Sequence, residues 1–441
     1  MLPIAHDEPA AAFTAPGGWR HGLRYGLLGL PLAFVALPLY VLLPNHYARA
    51  FAAPLAALGF VLLAARGIDA VLDPLIGRWC DRLAARSHAT LLAVAAASAV
   101  VLALGLWGLL FPPAAVVAAG AAPLLTWAGV VMAITYTAYS VVSVAHQAWG
   151  ARLGGNEAQR SRVVAWREAL SLLGVLLAAV LPTVAGLGAT VVTFALLLAL
   201  GWWAWARSLV PHSSGVAVAR AGRSPLREPA FRRLLAVFVL NGTASAVPAT
   251  LVLFFVQDRL QASAALEPAF LGVYFLSAAL AMPLWLRLVP RLGLARTWLA
   301  GMVLAVVTFA WAATLGAGDA VLFLVVCALS GIALGTDLAL PGALLAGLIG
   351  QLGERGKAEG AYFGWWNFAA KLNLALAAGL ALPLLGFFGY APGARDAAAL
   401  QTLTIAYCVL PCVLKLLAAA ALVRLVLRAP PPTAWQGAPS H

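Results

Sequence analysis

Apolar runs long enough to cross a bilayer recur along nearly the whole chain, and no other feature limits its fold so severely. They fall at 23–43, 53–77, 90–111, 121–147, 164–185 and 188–207, then at 231–256, 269–289, 297–315, 320–348, 360–388 and 401–427. About 20 helical residues span the hydrocarbon core, where backbone groups find no water and must satisfy one another. The sequence therefore predicts an all-α polytopic membrane protein with twelve transmembrane helices. Composition agrees, with 63% hydrophobic and 10% charged residues, against about 25% charged in an ordinary soluble domain. A surplus of 28 Lys and Arg over 15 Asp and Glu suggests nucleic acid in a soluble protein, but here its placement carries the information. Arg49, Arg259 and Arg395 fall in outer loops, Arg66, Arg167, Lys371 and Lys415 inside runs, and the other 21 in tails and loops of the opposite side. Basic residues stay cytoplasmic, so both termini are expected inside, in a bacterial-type inner membrane, with no nucleic-acid partner.

The break at 208–230, with Pro211, Ser213, Ser214, Gly215, Arg220, Gly222, Arg223, Pro225 and Arg227, is too polar to bury in lipid. It divides the chain into a tail at 1–22, a six-helix bundle at 23–207, a cytoplasmic linker at 208–230, a second bundle at 231–428 and a tail at 429–441. Met1 to Gly18 is rich in Ala and Pro, carries His6, Asp7 and Glu8, and lacks the basic start and cleavage site of a secretory signal. Trp19, Trp79, Trp149 and Trp298 stand near run ends, where interfacial aromatics collect. Cys80, Cys327, Cys408 and Cys412 form no CxxC pair and are read as thiols.

The halves echo each other. Pro74, Leu75, Arg78, Arg82 and Leu83 at the end of the second run recur as Pro283, Leu284, Arg287, Arg291 and Leu292 at the end of the eighth, each 209 positions later. Repeated six-helix halves are a transporter arrangement.

Charged side chains cost about 3 kcal/mol each near the bilayer centre, so those inside runs are expected to face one another or water. Arg66, Asp69 and Asp73 are spaced i, i+3, i+7, with Gly77 continuing the stripe. Two carboxylates one helical turn apart can supply oxygens to a small cation or share a proton. The alternative is an Arg66–Asp69 bridge that only fixes helices. The repeat speaks against it, since the eighth run has Ala278 and Met282 at the acidic positions. Lys371, one turn after Asn367, needs a carboxylate partner, for which Asp69 or Asp73 is available. Asp337 and Lys415 are two further embedded charges whose pairing the sequence leaves open; each is either a packing ion pair or part of a substrate path.

The fourth run places Tyr136, Tyr139, Ser140, Ser143, His146 and Gln147 on one polar stripe expected to line a cavity. His146 either relays a proton or is only hydrogen-bonded. Arg167, inside the fifth run, is a cavity candidate. No Walker loop, HExxH, GxSxG or metal-ligand cluster occurs, which argues against a primary pump, an enzyme and a resident metal or cofactor.

Tyr25-Gly26, Arg66-Gly67-Ile68-Asp69-Ala70-Val71-Leu72-Asp73-Pro74-Leu75-Ile76-Gly77, Thr135-Tyr136-Thr137 and Lys371 together resemble the glycoside-pentoside-hexuronide cation symporters of the major facilitator superfamily. The resemblance implies that Asp69 and Asp73 bind the coupling Na⁺ or H⁺, with Ser140, Asn367 and Lys371 beside them. It implies a cavity arginine at Arg167 and a monomer; with the embedded polar residues, the expected substrate cavity comprises Tyr25, Arg66, Tyr136, Ser143, His146, Gln147, Arg167, Asp337 and Trp366. Asp81, Arg82 and Arg86 resemble the superfamily's cytoplasmic gate motif, although Ala84 and Ala85 stand where its glycine is usual. The two acids with which sugar-transporting members hold their sugar fall at Ala33 and Ser143, and their stacking tryptophan at Gln147. The expectation is a secondary transporter that couples a small organic solute, a sugar or glycoside, to a monovalent cation by alternating access. A lysolipid or other amphiphile carrier, suited by Phe363, Trp365 and Trp366, and a non-transporting sensor are the alternatives.

Overall fold

A computed structural model of the chain describes residues 8–211, 224–263, 266–391 and 393–428. The expected tail residues 1–7 and 429–441 and the linker stretch 212–223 lie outside the described residues, as do 264–265 and 392. Regular secondary structure among the described residues is entirely helical. It falls into two units, the first comprising 1–223 with 353–368 and the second 224–352 with 369–441.

In the first unit, the first predicted run is a series of short segments. These are α1 (Trp19–Gly26), α2 (Gly29–Leu37), a π-helical turn over Pro38–Leu42, and α3 (Leu43–Ala50). Pro38 and Pro44 have no N–H to give the preceding turn, which disfavours one regular helix here. There follow α4 (Leu55–Arg86), α5 (His88–Leu110), the single turn α6 (Ala114–Ala118), α7 (Ala121–Arg152) and α8 (Glu157–Ala206). Helix α8 holds two predicted runs divided at Gly186, whose φ of 79° is a conformation that side chains with a Cβ disfavour. Ser87 accepts the Thr90 N–H at the start of α5, and Asn156 forms a capping box with Gln159 at the start of α8. Each such cap stabilises a helix start by about 1 kcal/mol.

The second unit contains α9 (Pro229–Phe254), α10 (Glu267–Leu292), α11 (Leu294–Ala312) and α12 (Ala320–Gln351). Helix α13 (Glu359–Phe387) starts in the first unit and continues in the second. Helices α14 (Ala397–Thr404) and α15 (Leu410–Leu422) are joined through a π-helical turn at Ile405–Val409.

Each of the twelve predicted runs lies on helix, and eight continuous helices among the described residues are long and apolar enough to cross a membrane. Helix α4, which carries Arg66, Asp69 and Asp73, is 32 residues long. Within the first unit α4 and α5 pack on α7; within the second α10 and α11 pack on α12. The second and third spans thus meet the fourth as the eighth and ninth meet the tenth, and Pro74 and Pro283 both lie inside helices. These shared pairings are what the sequence repeat requires.

The core of the first unit includes Trp149, Trp205 and Tyr25, and that of the second centres on Phe255 and Tyr407, stacked at 4.2 Å beside Phe323. Trp19 and Trp79 are exposed, as interfacial residues are, but Trp149 and Trp298 are buried. Their indole N–H groups donate inward, to the Leu209 carbonyl and to Asp337 respectively, so position in a run misled for these two. The expected N-terminal tail is also partly structured, with a 3₁₀ turn at Pro9–Phe13 seating Ala10 and Phe13 in the first unit.

Candidate functional site

Asp69 and Asp73 sit one turn apart on α4 and are 2% and 0% exposed. Ile68, Val71 and Leu75 occupy the exposed face of the same helix, so the acids point into the unit and away from acyl chains. Ser140 Oγ, on α7, donates to Asp69 Oδ1 at 2.8 Å. The Tyr139 phenol lies within electrostatic reach of both carboxylates. At Asp73 the first turns of α13 run against α4: a Cβ on Gly364 would stand 2.4 Å from the Asp73 carbonyl oxygen. Two carboxylates one turn apart repel each other when both are charged. Arg66 departs from the inward stripe. It is exposed and lies beside the Tyr136 hydroxyl.

The rest of the α7 stripe divides in two. Ser143 and Gln147 form a polar step, Gln147 Nε2 donating to Ser143 Oγ at 2.9 Å. Tyr25, Tyr136 and His146, expected to line a cavity, are 1%, 1% and 0% exposed. Tyr25 and His146 instead join α1 to α7, the Tyr25 hydroxyl donating to the His146 carbonyl at 3.1 Å and His146 Nε2 lying 2.8 Å from the Tyr25 carbonyl. Arg167 lies beside the Tyr25 hydroxyl and pairs with Glu168 Oε1 at 2.6 Å. Asn367 and Lys371 are half-buried on α13, Asn367 in its first-unit part and Lys371 in its second-unit part, while Trp366 is buried.

At the end of α4, past the apolar run, Asp81 is buried and collects donors. Arg152 Nη2 reaches its Oδ1 at 2.6 Å, and the N–H groups of Gly360 and Ala361 reach it at 2.7 and 2.8 Å. Unpaired amides at a helix start carry partial positive charge, and Asp81 satisfies two of those of α13. Arg152 Nε also holds Glu359 Oε2 at 3.1 Å, and Glu359 Oε1 accepts the Gly356 N–H at 2.5 Å. Backbone meets backbone beneath this cluster, where a Cβ on Gly77 would fall 2.0 Å from the Gly360 carbonyl oxygen. Arg82 and Arg86, grouped with Asp81 in the sequence, are exposed. The arginine on Asp81 is Arg152 because helix periodicity turns Arg82 away from it.

The second unit has its own charge centre. Asp337 and Lys415 pair at 2.8 Å. Asp337 also accepts from Asn241 Nδ2 at 2.9 Å, Trp298 Nε1 at 2.8 Å and Ser245 Oγ at 3.1 Å. Lys415 donates to Ser245 Oγ as well, at 2.8 Å. Both carboxylate oxygens are filled by donors from α9, α11 and α15, so the centre joins four helices without any ligand. At the end of the span over Pro229–Arg259, Asp258 accepts from the Tyr390 hydroxyl and from the Gly393 N–H at 2.9 Å. Burial, and then that bond to Asp258, hold the Tyr390 phenol above its ordinary pKa.

Arg152, Glu359, Asn241, Ser245 and Trp298 were not singled out as site residues by the sequence. Arg152 and Glu359 do carry a weak signal as charges at the ends of apolar runs. Asn241 is a polar residue inside an apolar run, and nothing local marks it as a partner of Asp337.

An all-helical, repeated fold with acids buried among its helices is that of a multi-pass membrane protein of the major facilitator fold. The chain belongs to the MFS/sugar transport protein family, whose profile matches residues 24–429. Among curated proteins none matches it by sequence. Solved structures similar to it include a bacterial homologue of the iron transporter ferroportin in an outward-facing state, at TM-score 0.66 and 16% identity, covering 93% of this chain and 99% of that one. The human organic anion transporter MFSD10 matches at TM-score 0.62 and 18% identity, covering 92% of this chain and 100% of that one. The E. coli fucose:proton symporter matches at TM-score 0.61 and 14% identity, covering 89% and 98%. At these identities the likeness is one of fold.

Proposed function

We propose that this transporter is a symporter of the bacterial-type inner membrane, with both termini cytoplasmic, that moves a small organic solute by alternating access coupled to Na⁺ or H⁺. The single observation that carries the reading is the burial of Asp69 and Asp73, one turn apart on α4, with the Ser140 hydroxyl on the first of them. Two carboxylates in an apolar setting persist when a cation or proton offsets their charge, and loading and release of that charge is a means of coupling. Asp69, Asp73 and Ser140 are the proposed cation ligands, with Asn367 on α13 a further oxygen donor. Ser143, Gln147, Arg167 and Glu168 are the polar groups offered to the solute. Sugars and glycosides are the first class to test, on the motif resemblance and the family's description; the acids used by sugar-transporting members are replaced here by Ala33 and Ser143.

Counterflow in reconstituted vesicles tests the proposal, with a panel of sugars, glycosides, organic anions and lysolipids, with and without Na⁺ and a pH gradient. Exchange of a solute that depends on one cation and is lost in Asp69→Asn and Asp73→Asn supports symport. Exchange indifferent to both cations and to both variants would leave a uniporter. Exchange of lysolipid alone would replace the solute class.

A further inference from the structure

The chain before α1 is docked on the turn between α7 and α8, and one of its side chains reaches the segment that leads into α13. Ala10 and Phe13 are 0% and 2% exposed. The Ala10 N–H donates to the Leu153 carbonyl at 3.2 Å, and Arg162 Nη1 reaches the Phe13 carbonyl at 3.4 Å. The Phe13 ring meets Tyr25 edge-on at 6.3 Å. Ahead of this anchor, Glu8 divides its carboxylate between two loops. Oε2 accepts the Gly155 N–H, in the turn between α7 and α8, and Oε1 takes Arg355 Nη1 at 2.5 Å. Arg160 Nη1 donates to the Gly155 carbonyl at 2.5 Å, so the turn that receives Glu8 is itself held. Arg355 lies four residues before Glu359, which belongs to the Asp81–Arg152 cluster.

We infer that Glu8–Phe13 is a strap that keeps the 353–358 segment, and through it the start of α13, seated on the first six-helix unit. The buried anchor at Ala10 and Phe13 fixes where the strap runs, and the Glu8 carboxylate is its working end. Because the Glu8–Arg355 pair is partly exposed, at 43% and 34%, its hold is weak. A weak hold suits a bolt that must open during each cycle. Where α13 moves in alternating access, as in the symport reading, the strap sets how readily its first turn lifts; the docking itself does not depend on that reading.

Hydrogen–deuterium exchange on the reconstituted full-length protein tests this through the 353–361 amides, among them Gly356, Gly360 and Ala361, whose hydrogen bonds are on the cluster. Glu8→Gln, Arg355→Gln and a deletion of residues 2–13 are each expected to raise exchange across 353–361 about three- to fivefold, the scale of one partly exposed ion pair. Glu8→Gln with Arg355→Gln is expected to do no more than either alone. Asp81→Asn serves as a positive control. Exchange unchanged in Glu8→Gln, a confined effect at 153–156, or effects that simply add in the double variant would each overturn the strap. The conservative Glu8→Gln keeps the test decisive if the deletion fails to fold. Solute counterflow is not part of the readout, so a failed strap and a failed symport reading remain distinguishable.

Discussion

Arg152 donates through Nη2 to Asp81 Oδ1 at 2.6 Å, with both side chains buried. Its Nε is spent on Glu359, so one guanidinium stands between two acids. Removing the cation leaves two buried negative charges facing each other, the most costly way to open such a cluster. Arg152→Gln is therefore expected to lose about 3 kcal/mol of stability, and Glu359→Gln distinctly less, because Asp81 would keep its arginine and its two amides. Thermal unfolding in mild detergent checks the order, and equal losses would contradict it.

Beneath that cluster the helices touch through glycine. A Cβ on Gly77 would meet the Gly360 carbonyl oxygen at 2.0 Å, while one on Gly67, ten residues earlier on α4, meets nothing within 4 Å. Gly77→Ala is expected to cost more than 1 kcal/mol and to free the 353–361 amides, whereas Gly67→Ala is neutral within about 0.5 kcal/mol. Melting temperatures of the two variants, side by side, decide the matter.

These two cases also mark what a single sequence conveys. The Asp69/Asp73 pair is legible because charge in an apolar run is anomalous wherever the chain folds, and the Gly186 break because two runs abut there. Arg152 and Glu359 are 207 residues apart, and nothing local to either announces the other. Trp298 misleads because run ends usually meet the interface, whereas its N–H here has a buried acceptor. The grouping of 353–368 with the first unit follows from backbone contacts at Gly77 and Gly360, which become possible only once both helices exist.

Asp337 is saturated. Four donors already fill its oxygens, so neither a proton nor a metal ion finds a vacant lone pair without breaking a bond. Asp337→Asn and Lys415→Met are each expected to destabilise by about 3 kcal/mol, and the double variant to recover much of that loss, since removing both charges strands neither. The cation dependence of any transport is expected to survive in the double variant. A double-mutant cycle on unfolding, followed by counterflow, measures both.

The Ser140–Asp69 bond offers a graded test of the cation site. Ser140→Ala removes one hydroxyl next to Asp69 and leaves both acids in place. A single hydrogen bond to a charged group contributes about 1.5–3 kcal/mol; apparent Na⁺ affinity should fall about tenfold or more while transport persists at saturating Na⁺, whereas apparent H⁺ affinity should not fall, because the lost donor favoured the charged carboxylate. Asp69→Asn and Asp73→Asn instead remove charge that must be offset for the carboxylates to stay buried. Both are expected to abolish cation-driven accumulation. The signature is therefore coupling lost in both asparagine variants and retained, at shifted cation concentration, in Ser140→Ala. Transport measured against cation concentration reads both. If either asparagine variant kept coupled accumulation, that carboxylate would have no part in carrying the ion.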